Sequence, residues 1–351
     1  MDENNSQETK VLPTPLQNTS EIFDTEINKV PVIQQLVLLA VMLLLVFGST
    51  ITPKIFALLQ KNDTTSASLP LADEQSSNVI QSDSNADNPF LDIVIAAKSA
   101  YVWDISSQKA LFKKSESTQL PLASIAKLMT ALVAQEVLDE SQPIKIDGLS
   151  IRQDGDSGLF VGEIFERLTL SDLVLMSSSN DGAYALAAAA GSMLSTENGA
   201  NSFVNAMNIR AKEIGLLETY FKNPTGLDLS QTEGGAYGSA RDMAFLMEYI
   251  VINYPTLLEF TLEDKARVYS KSGQYHDTEN TNYYIDDVPG LIGSKTGYTD
   301  LAGGNLVIAF NVGLNRPIVA VVLGSTSQER FTDMLQLVAA TNAYITKQIQ
   351  H

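Results

Sequence analysis

The sequence predicts an α+β fold, in which an antiparallel sheet is flanked by helices and accompanied by a helical lobe. Strand-like segments occur as two hairpins, one near each end of the folded region, and several helical segments lie between the hairpins. A further helix follows the second hairpin. Strands joined by short turns pair in an antiparallel manner, and their apolar faces must be covered by other elements. One long apolar segment ahead of this region adds a predicted transmembrane helix.

The individual elements follow from residue patterns along the chain. The segments LDIVIAAKSAYVWDIS and KALFKKS predict the first hairpin, with the polar turn Ser106–Gln108 between them. The segments NLVIAFNVGL and RPIVAVVLGST predict the second hairpin around Asn315–Arg316. A closing helix is predicted from Gln328 to about Ile345. Helical spacing also predicts four helices between the hairpins, around residues 123–138, 170–177, 180–194 and 200–213.

Composition divides the chain into four parts. Residues 1–29 are polar and acidic and are predicted to be a disordered tail, and residues 53–89 are predicted to be a flexible polar linker. Between them, residues 30–52 are predicted to be a transmembrane signal anchor, because Val30–Ile51 carries no charge and about 20 apolar residues span a bilayer. The alternative is a cleaved secretory signal, which the late start and the lack of an A-x-A-like site disfavour. Residues 90–351 are predicted to form the folded domain.

Composition also excludes several classes of function. The formal net charge of −18 argues against a nucleic-acid partner, which requires clustered cations. The absence of cysteine excludes disulfides and thiolate chemistry. Of the two histidines, His276 lies in a polar stretch predicted to be a loop, and His351 is the last residue. A Ser–His–Asp triad would have to use His276, and neither this triad nor a histidine-based zinc site is favoured. No metal, cofactor or phosphate-binding loop is predicted.

The segment PLASIAKLMTAL places Ser124 and Lys127 in a helix that is otherwise apolar. Positions three residues apart lie on one helix face, so the hydroxyl and the amine are neighbours. Burial lowers the pKa of a lysine, and a neutral amine can act as general base for a serine nucleophile. The alternative is a surface lysine beside a helix-facing serine, because S-x-x-K alone is a weak pattern.

Two further segments carry candidate functional residues. Ser178 and Asn180 lie between two helical segments, where they could relay a proton and hold a substrate, or only cap a helix. Lys295, Thr296 and Gly297 directly precede the second hairpin. Lys295 could bind a carboxylate and Thr296 could donate a hydrogen bond, or Lys295 could be an edge-strand lysine that discourages aggregation.

Together, S-x-x-K, S-x-N and K-T-G in this order resemble the signature of serine penicillin-binding proteins and β-lactamases. The segments FKNPTGLD (221–228), AYGSARDMAFLM (236–247), TENTNYY (278–284) and SKTGYTDLAGGNLV (294–307) are similar to the D-alanyl-D-alanine carboxypeptidases among the low-molecular-weight penicillin-binding proteins. The resemblance covers roughly residues 93–345. It implies a β-lactamase/transpeptidase-like fold, with the site between the sheet edge and the helical lobe.

The resemblance also implies a role for each motif residue. Ser124 would be the nucleophile and Lys127 its general base. Ser178 would pass a proton to the leaving group, and Asn180 would position the peptide. The substrate-binding residues would be Lys295, Thr296, Gly297 and Tyr298, of which Lys295 and Thr296 would hold the terminal carboxylate of D-alanine. The backbone N–H groups of Ser124 and Tyr298 would form the oxyanion hole. Tyr298 stands where histidine is common in relatives.

The expected activity is that of a membrane-anchored carboxypeptidase that removes the terminal D-alanine of peptidoglycan stem peptides and is acylated by β-lactams. The alternatives are a β-lactamase, a peptidoglycan D,D-endopeptidase with the same site, and a non-catalytic wall-binding or sensor protein. A β-lactamase would need a carboxylate to activate water, and Glu197 and Asn201 match the letters of E-x-x-x-N but lie close after Asn180. The expected localisation is the bacterial cell membrane, with residues 30–52 as a single span, residues 1–29 in the cytoplasm and the catalytic domain (90–351) facing the cell wall.

Overall fold

A computed structural model of the 351-residue chain describes residues 88–196 and 199–350. The predicted tail at 1–29, the predicted span at 30–52 and nearly all of the predicted linker at 53–89 lie outside the described residues. Within the described part, no helix is both long enough and apolar enough to cross a membrane.

The described residues form short and long strands that alternate with helices. The strands are β1 (Ser99–Asp104), β2 (Lys109–Lys114), β3 (Leu120–Pro121), β4 (Pro143–Lys145), β5 (Ile164–Glu166), β6 (Tyr220–Phe221), β7 (Ala236–Gly238), β8 (Lys265–Tyr269), β9 (Tyr275–Glu279), β10 (Leu291–Thr299), β11 (Gly303–Asn311) and β12 (Pro317–Ser325). The α-helices are α1 (Lys127–Val137), α2 (Arg167–Met176), α3 (Asn180–Leu194), α4 (Gly199–Ile214), α5 (Ala240–Asn253) and α6 (Glu329–Gln350). Three 3₁₀ helices cover Ala123–Ala126, Ser150–Arg152 and Pro255–Leu262.

The main sheet has five strands in the order β10-β11-β12-β1-β2, and neighbouring strands are antiparallel. The hairpins β1–β2 and β11–β12 are the two that the sequence predicted. Pairing of β12 with β1 joins the two hairpins into one sheet, with Val102 opposite Ala320. The predicted antiparallel sheet is therefore confirmed, and β10 forms one of its edges.

The two faces of this sheet are covered by different helices. Alternate residues of a strand point to opposite faces. Val307 and Val321 belong to the core shared with the helical lobe, whereas Ile308 and Ala320 belong to a second core with α6. Helix α5 packs on the first face and α6 on the second. The prediction of a sheet flanked by helices is confirmed.

Helix α1 lies at the centre of the helical lobe, and its first eight residues are all buried. The sequence predicted one helix over 123–138, but the structure divides this stretch into the 3₁₀ helix Ala123–Ala126 and α1. Ala123 has a φ of 49°, in the left-handed region, so a regular α-helix cannot extend back to the start of the predicted stretch. Ser124 therefore lies on the 3₁₀ turn, while Lys127 begins the α-helix.

His276 corrects another prediction, since it lies on strand β9 and not in a loop. Strands β8 and β9 form a two-stranded ribbon outside the main sheet, with most of their side chains exposed or half-buried. Such a ribbon has little of the apolar alternation that marks a strand in a sequence. The two strands are joined by backbone pairing and also carry exposed cross-strand ion pairs, including Arg267 with Asp277 at 2.6 Å.

Candidate active site

The Lys127 side chain is fully buried at the centre of the candidate site, with none of its surface exposed. Its Nζ lies 2.8 Å from Ser124 Oγ, 2.7 Å from Asn180 Oδ1 and 2.8 Å from the carbonyl oxygen of Thr225. These contacts exclude the alternative of a surface lysine. The structure therefore brings the S-x-x-K and S-x-N segments together at one amine.

Two of these three contacts determine how the amine can act. The Asn180 and Thr225 oxygens can only accept hydrogen bonds, so they take two N–H groups of Lys127. Asn180 Nδ2 donates to the Asp154 carbonyl at 2.6 Å, which fixes the orientation of the amide. In the neutral amine, the remaining lone pair is then directed at Ser124 Oγ. The arrangement suits an amine that takes the serine proton.

The electrostatic environment favours this neutral form. Burial lowers the pKa of Lys127 well below its ordinary value, because an ammonium loses its hydration there, and the charge of Lys295 lowers the pKa further. A lysine in this state is available as a base near neutral pH.

The backbone around Ser124 is strained and tightly packed. Ala123 holds its positive φ while two glycines approach from opposite elements. A Cβ at Gly226 would lie 1.9 Å from the Ala123 oxygen, and a Cβ at Gly297 would lie 2.8 Å from the Leu122 oxygen. Strained residues persist only where the surroundings over-determine them. This packing fixes Ser124 between strand β10 and the turn that contains Gly226.

The predicted Ser178–Asn180 segment spans the end of the three-residue connection Ser177–Ser179 between α2 and α3 and the first residue of α3. The helix cap in this connection is Ser179, whose Oγ accepts from Gly182 N at 2.9 Å. Ser178 has a φ of 64°, and within the described residues its hydroxyl forms no hydrogen bond. It lines a cavity of about 310 Å³ together with Asn180 and His276. Asn180, not Ser178, makes the direct contact with Lys127.

Lys295 lies on the edge strand β10, but it is only 1% exposed. It therefore does not protect an open sheet edge, as the alternative interpretation required. Burial lowers the pKa of Lys295 to about 7, and the charge of Arg330 contributes to this shift. Arg330 Nη1 donates to the Gly297 oxygen at 2.8 Å. Two cationic groups thus flank this part of β10, where an anionic group would be stabilised.

The other two predicted binding residues of β10 differ in exposure. The hydroxyl of Thr296 is buried and donates to Thr281 Oγ1 at 2.6 Å. Tyr298 is half-exposed and lines a cavity of about 730 Å³, together with Asp154, Leu227 and other residues. This cavity is larger than the one that Ser178 lines.

Sequence reasoning did not assign several residues that build the site. The Thr225 carbonyl is positioned by Asn223, whose Oδ1 accepts from Gly226 N at 2.8 Å. Asn305 of β11 is fully buried, and its Nδ2 donates to the Leu122 oxygen at 3.0 Å. This bond attaches the residues just before Ser124 to the main sheet. Thr281 Oγ1 accepts a hydrogen bond from Thr296 Oγ1 and donates one to the Met176 oxygen at the end of α2. These residues lie in the segments FKNPTGLD, TENTNYY and LAGGNLV, whose resemblance to the family could have marked them as functional.

His276 forms a separate contact and does not reach Ser124. Its Nε2 lies 2.8 Å from Glu163 Oε1, and its ring packs near Phe160 and Phe165. The structure thus gives no Ser124–His276 pair. In residues 88–196 and 199–350, no group of three histidine or carboxylate side chains is placed to hold a metal.

A serine hydroxyl bonded to a buried lysine amine, beside the edge of an antiparallel sheet, defines a class of serine acyl-transfer enzymes. A family model of D-alanyl-D-alanine carboxypeptidases matches residues 82–327, and the chain belongs to this family. The resemblance of the sequence to low-molecular-weight penicillin-binding proteins is thereby confirmed.

Individual relatives bear different names. The chain is 33% identical over 260 residues to the D-alanyl-D-alanine carboxypeptidase DacF of Bacillus subtilis, covering 72% of this chain and 61% of that protein. It is 32% identical over 249 residues to the D-alanyl-D-alanine endopeptidase of Pseudomonas aeruginosa, covering 69% of this chain and 76% of that protein. Among solved structures, ampicillin-bound penicillin-binding protein D2 of Listeria monocytogenes is similar with a TM-score of 0.58 and 26% identity, covering 71% of this chain and 98% of that chain.

Proposed function

We propose that this protein is a serine-type D-Ala-D-Ala carboxypeptidase that removes the terminal D-alanine from peptidoglycan stem peptides. The observation that carries this proposal is the buried Lys127 amine, which contacts Ser124 and Asn180 simultaneously. The Bacillus subtilis relative with the carboxypeptidase name supports the substrate class.

In the acylation step, Ser124 Oγ attacks the carbonyl carbon of the penultimate D-alanine as Lys127 Nζ takes the hydroxyl proton. The carbonyl oxygen becomes an oxyanion, which the backbone N–H groups of Ser124 and Tyr298 stabilise. The C–N bond then breaks, and the amine of the terminal D-alanine receives the proton through the Ser178 hydroxyl. The products of this step are free D-alanine and an ester on Ser124.

Substrate binding uses the cationic part of β10. Lys295 binds the terminal carboxylate, and Thr296 binds it by redirecting the hydroxyl proton that it donates to Thr281 Oγ1 in the free protein. Burial strengthens these interactions because water does not screen them. Asn180 and the backbone of β10 align the peptide, in which Gly297 leaves room for its close approach. In the second step, Lys127 takes a proton from water, and the resulting hydroxide hydrolyses the ester and regenerates Ser124.

A β-lactam presents a strained amide in place of the D-Ala-D-Ala bond and acylates Ser124 in the same way. The ampicillin-bound Listeria relative supports this partner. The test is covalent labelling by a fluorescent penicillin together with release of D-alanine from a D-Ala-D-Ala peptide. Both are expected for the native protein and neither for Ser124→Ala, whereas labelling that persists in Ser124→Ala would exclude this nucleophile.

A D,D-endopeptidase is the second candidate, because the Pseudomonas aeruginosa relative of nearly equal identity bears that name. The same residues would cleave the crosslink between two stem peptides. Incubation with a stem pentapeptide and with a crosslinked dimer distinguishes the two activities. A carboxypeptidase cleaves the terminal D-Ala-D-Ala bond of the pentapeptide, whereas an endopeptidase cleaves the crosslink of the dimer.

We further propose that residues 30–52 anchor the protein in the bacterial cell membrane as a single span, with residues 1–29 in the cytoplasm and the catalytic domain facing the wall. The uncharged run Val30–Ile51 and the location of the proposed substrate support this arrangement. The test is protease treatment of intact spheroplasts. Loss of the folded domain with retention of a tag at residue 1 is expected, and protection of the domain would contradict the proposed topology.

A further inference from the structure

A cavity of about 330 Å³ lies in the helical lobe, where the end of α1, the start of α2 and the 3₁₀ helix Pro255–Leu262 meet. Its charged lining consists of Arg167 and Asp172 from α2, Glu259 from the 3₁₀ helix, and Glu140. None of the candidate active-site residues lines it.

The most unusual group in this cavity is the guanidinium of Arg167. The residue is only 1% exposed, yet its Nε and Nη1 have no hydrogen-bond partner in the described structure. An N–H group removed from water is destabilising unless it finds an acceptor, and a charged group more so. The Arg167 guanidinium is therefore a site for an oxygen-bearing group, most favourably an anionic one.

The carboxylates of the cavity surround this cation at different depths. Asp172 is half-buried, whereas Glu140 and Glu259 are exposed at the rim. Burial raises the pKa of Asp172 to about 6, the charge of Arg167 opposes the shift, and the charges of Glu259 and Glu140 add to it. At neutral pH the bottom of the cavity is thus positively charged and its entrance is negatively charged.

We propose that this cavity binds a small zwitterion of the free amino-acid type, with its carboxylate on Arg167 and its ammonium among Asp172, Glu140 and Glu259. A simple anion would be repelled by three carboxylates, and a simple ammonium ion would leave the Arg167 N–H groups without an acceptor. A ligand with both charges satisfies both ends. The volume accommodates an amino acid but not a stem peptide attached to its glycan.

The experiment is a saturation-transfer difference NMR titration of the detergent-solubilised full-length protein at pH 7.5. The probes are glycine and D-alanine, and acetate and methylammonium serve as single-charge controls. Saturable binding of both amino acids is expected, with acetate and methylammonium at least about tenfold weaker, because each lacks one charge-assisted interaction.

Variants locate the bound probe. Arg167→Gln and Glu259→Gln are each expected to weaken binding, by about tenfold or more for Arg167→Gln. Glu259 is exposed, so its variant remains informative if Arg167→Gln does not fold. Glu263→Gln, a change at an exposed glutamate that follows the same 3₁₀ helix but does not line the cavity, is the matched control and should bind normally.

Lys295→Ala separates this cavity from the proposed substrate-carboxylate site and is expected to retain binding. The proposal is overturned if neither amino acid binds saturably, or if acetate binds as tightly as glycine. It is also overturned if binding is lost in Lys295→Ala, or if it is unchanged in both Arg167→Gln and Glu259→Gln.

Discussion

Lys127 Nζ donates to Asn180 Oδ1 at 2.7 Å, although 53 residues separate the two positions in the chain. This bond joins the start of α1 to the start of α3. Burial lowers the pKa of the same amine, and the charge of Lys295 lowers it further. The cation proposed to bind the substrate carboxylate therefore adds to the effect of burial in favouring the neutral form of the proposed base.

The serine triplet at 177–179 allows a direct assignment of roles. We expect Ser178→Ala to lower turnover by about 100-fold, the lower range for loss of a proton-transfer group, with little change in stability because its hydroxyl has no partner among the described residues. Ser179→Ala should instead lower the free energy of unfolding by about 1 kcal/mol, because it removes the cap bond to Gly182.

Ser177→Ala is the control for this series, since among the described residues its hydroxyl bonds only to the Leu173 oxygen of α2. Peptide turnover and urea denaturation of the three variants are measured side by side. A larger loss of turnover in Ser177→Ala or Ser179→Ala than in Ser178→Ala would reassign the proton relay.

The pH dependence of kcat/KM should reflect Lys295. Its pKa in the free protein is about 7, because burial and Arg330 disfavour its charge. The charged form binds the substrate carboxylate, so kcat/KM is expected to fall as pH rises above about 7. In Lys295→Arg the guanidinium stays charged, and the descending limb should move to higher pH.

Lys109→Arg, a change at an exposed lysine of β2, is the control for this profile. Initial rates with a D-Ala-D-Ala peptide between pH 5 and pH 10 provide the measurement. Superimposable profiles for the native protein and Lys295→Arg would show that Lys295 does not set the descending limb.

Gly226 tests the packing around Ser124. Gly226→Ala should destabilise the protein by more than about 2 kcal/mol and reduce penicillin labelling, since the new Cβ would meet the Ala123 oxygen at 1.9 Å. Gly215 has a similar φ of 87° but open space around it. Gly215→Ala therefore isolates the backbone strain, and it should cost only about 1 kcal/mol and leave labelling intact. Equal effects in thermal unfolding would contradict this account of the turn.

The lifetime of the penicillin adduct distinguishes the proposed enzyme from a β-lactamase. Within the described residues, no carboxylate contacts Ser124 or Lys127, and Glu197, which the alternative would use, lies outside them. We expect an acyl-enzyme that persists long enough to be detected by intact-protein mass spectrometry. Rapid, repeated turnover of penicillin without accumulation of the adduct would favour the β-lactamase.

Local patterns predicted the parts of the fold and site that depend on neighbouring residues. The two hairpins follow from apolar alternation, and the Ser124–Lys127 contact follows from their three-residue spacing. Helix α5 was also predictable, because Met243, Met247 and Ile250 have helical spacing, yet it was not assigned.

Other contacts are beyond a reading of local patterns. The Thr225 contact with Lys127 spans 98 residues and uses a backbone carbonyl, so no side chain marks it in the sequence. The left-handed Ala123 is forced by neighbours from distant segments. Tertiary packing determines both the Thr225–Lys127 contact and the conformation of Ala123. In the sequence, only the resemblance of the segment FKNPTGLD to the family pointed to the region around Thr225.

The most direct measurement is mass spectrometry of a stem pentapeptide ending in D-Ala-D-Ala after incubation with the full-length protein. We expect loss of one D-alanine with the native protein and an unchanged peptide with Ser124→Ala. An intact pentapeptide alongside cleavage of a crosslinked dimer would contradict the carboxypeptidase assignment, and equal D-alanine release by Ser124→Ala would contradict the mechanism.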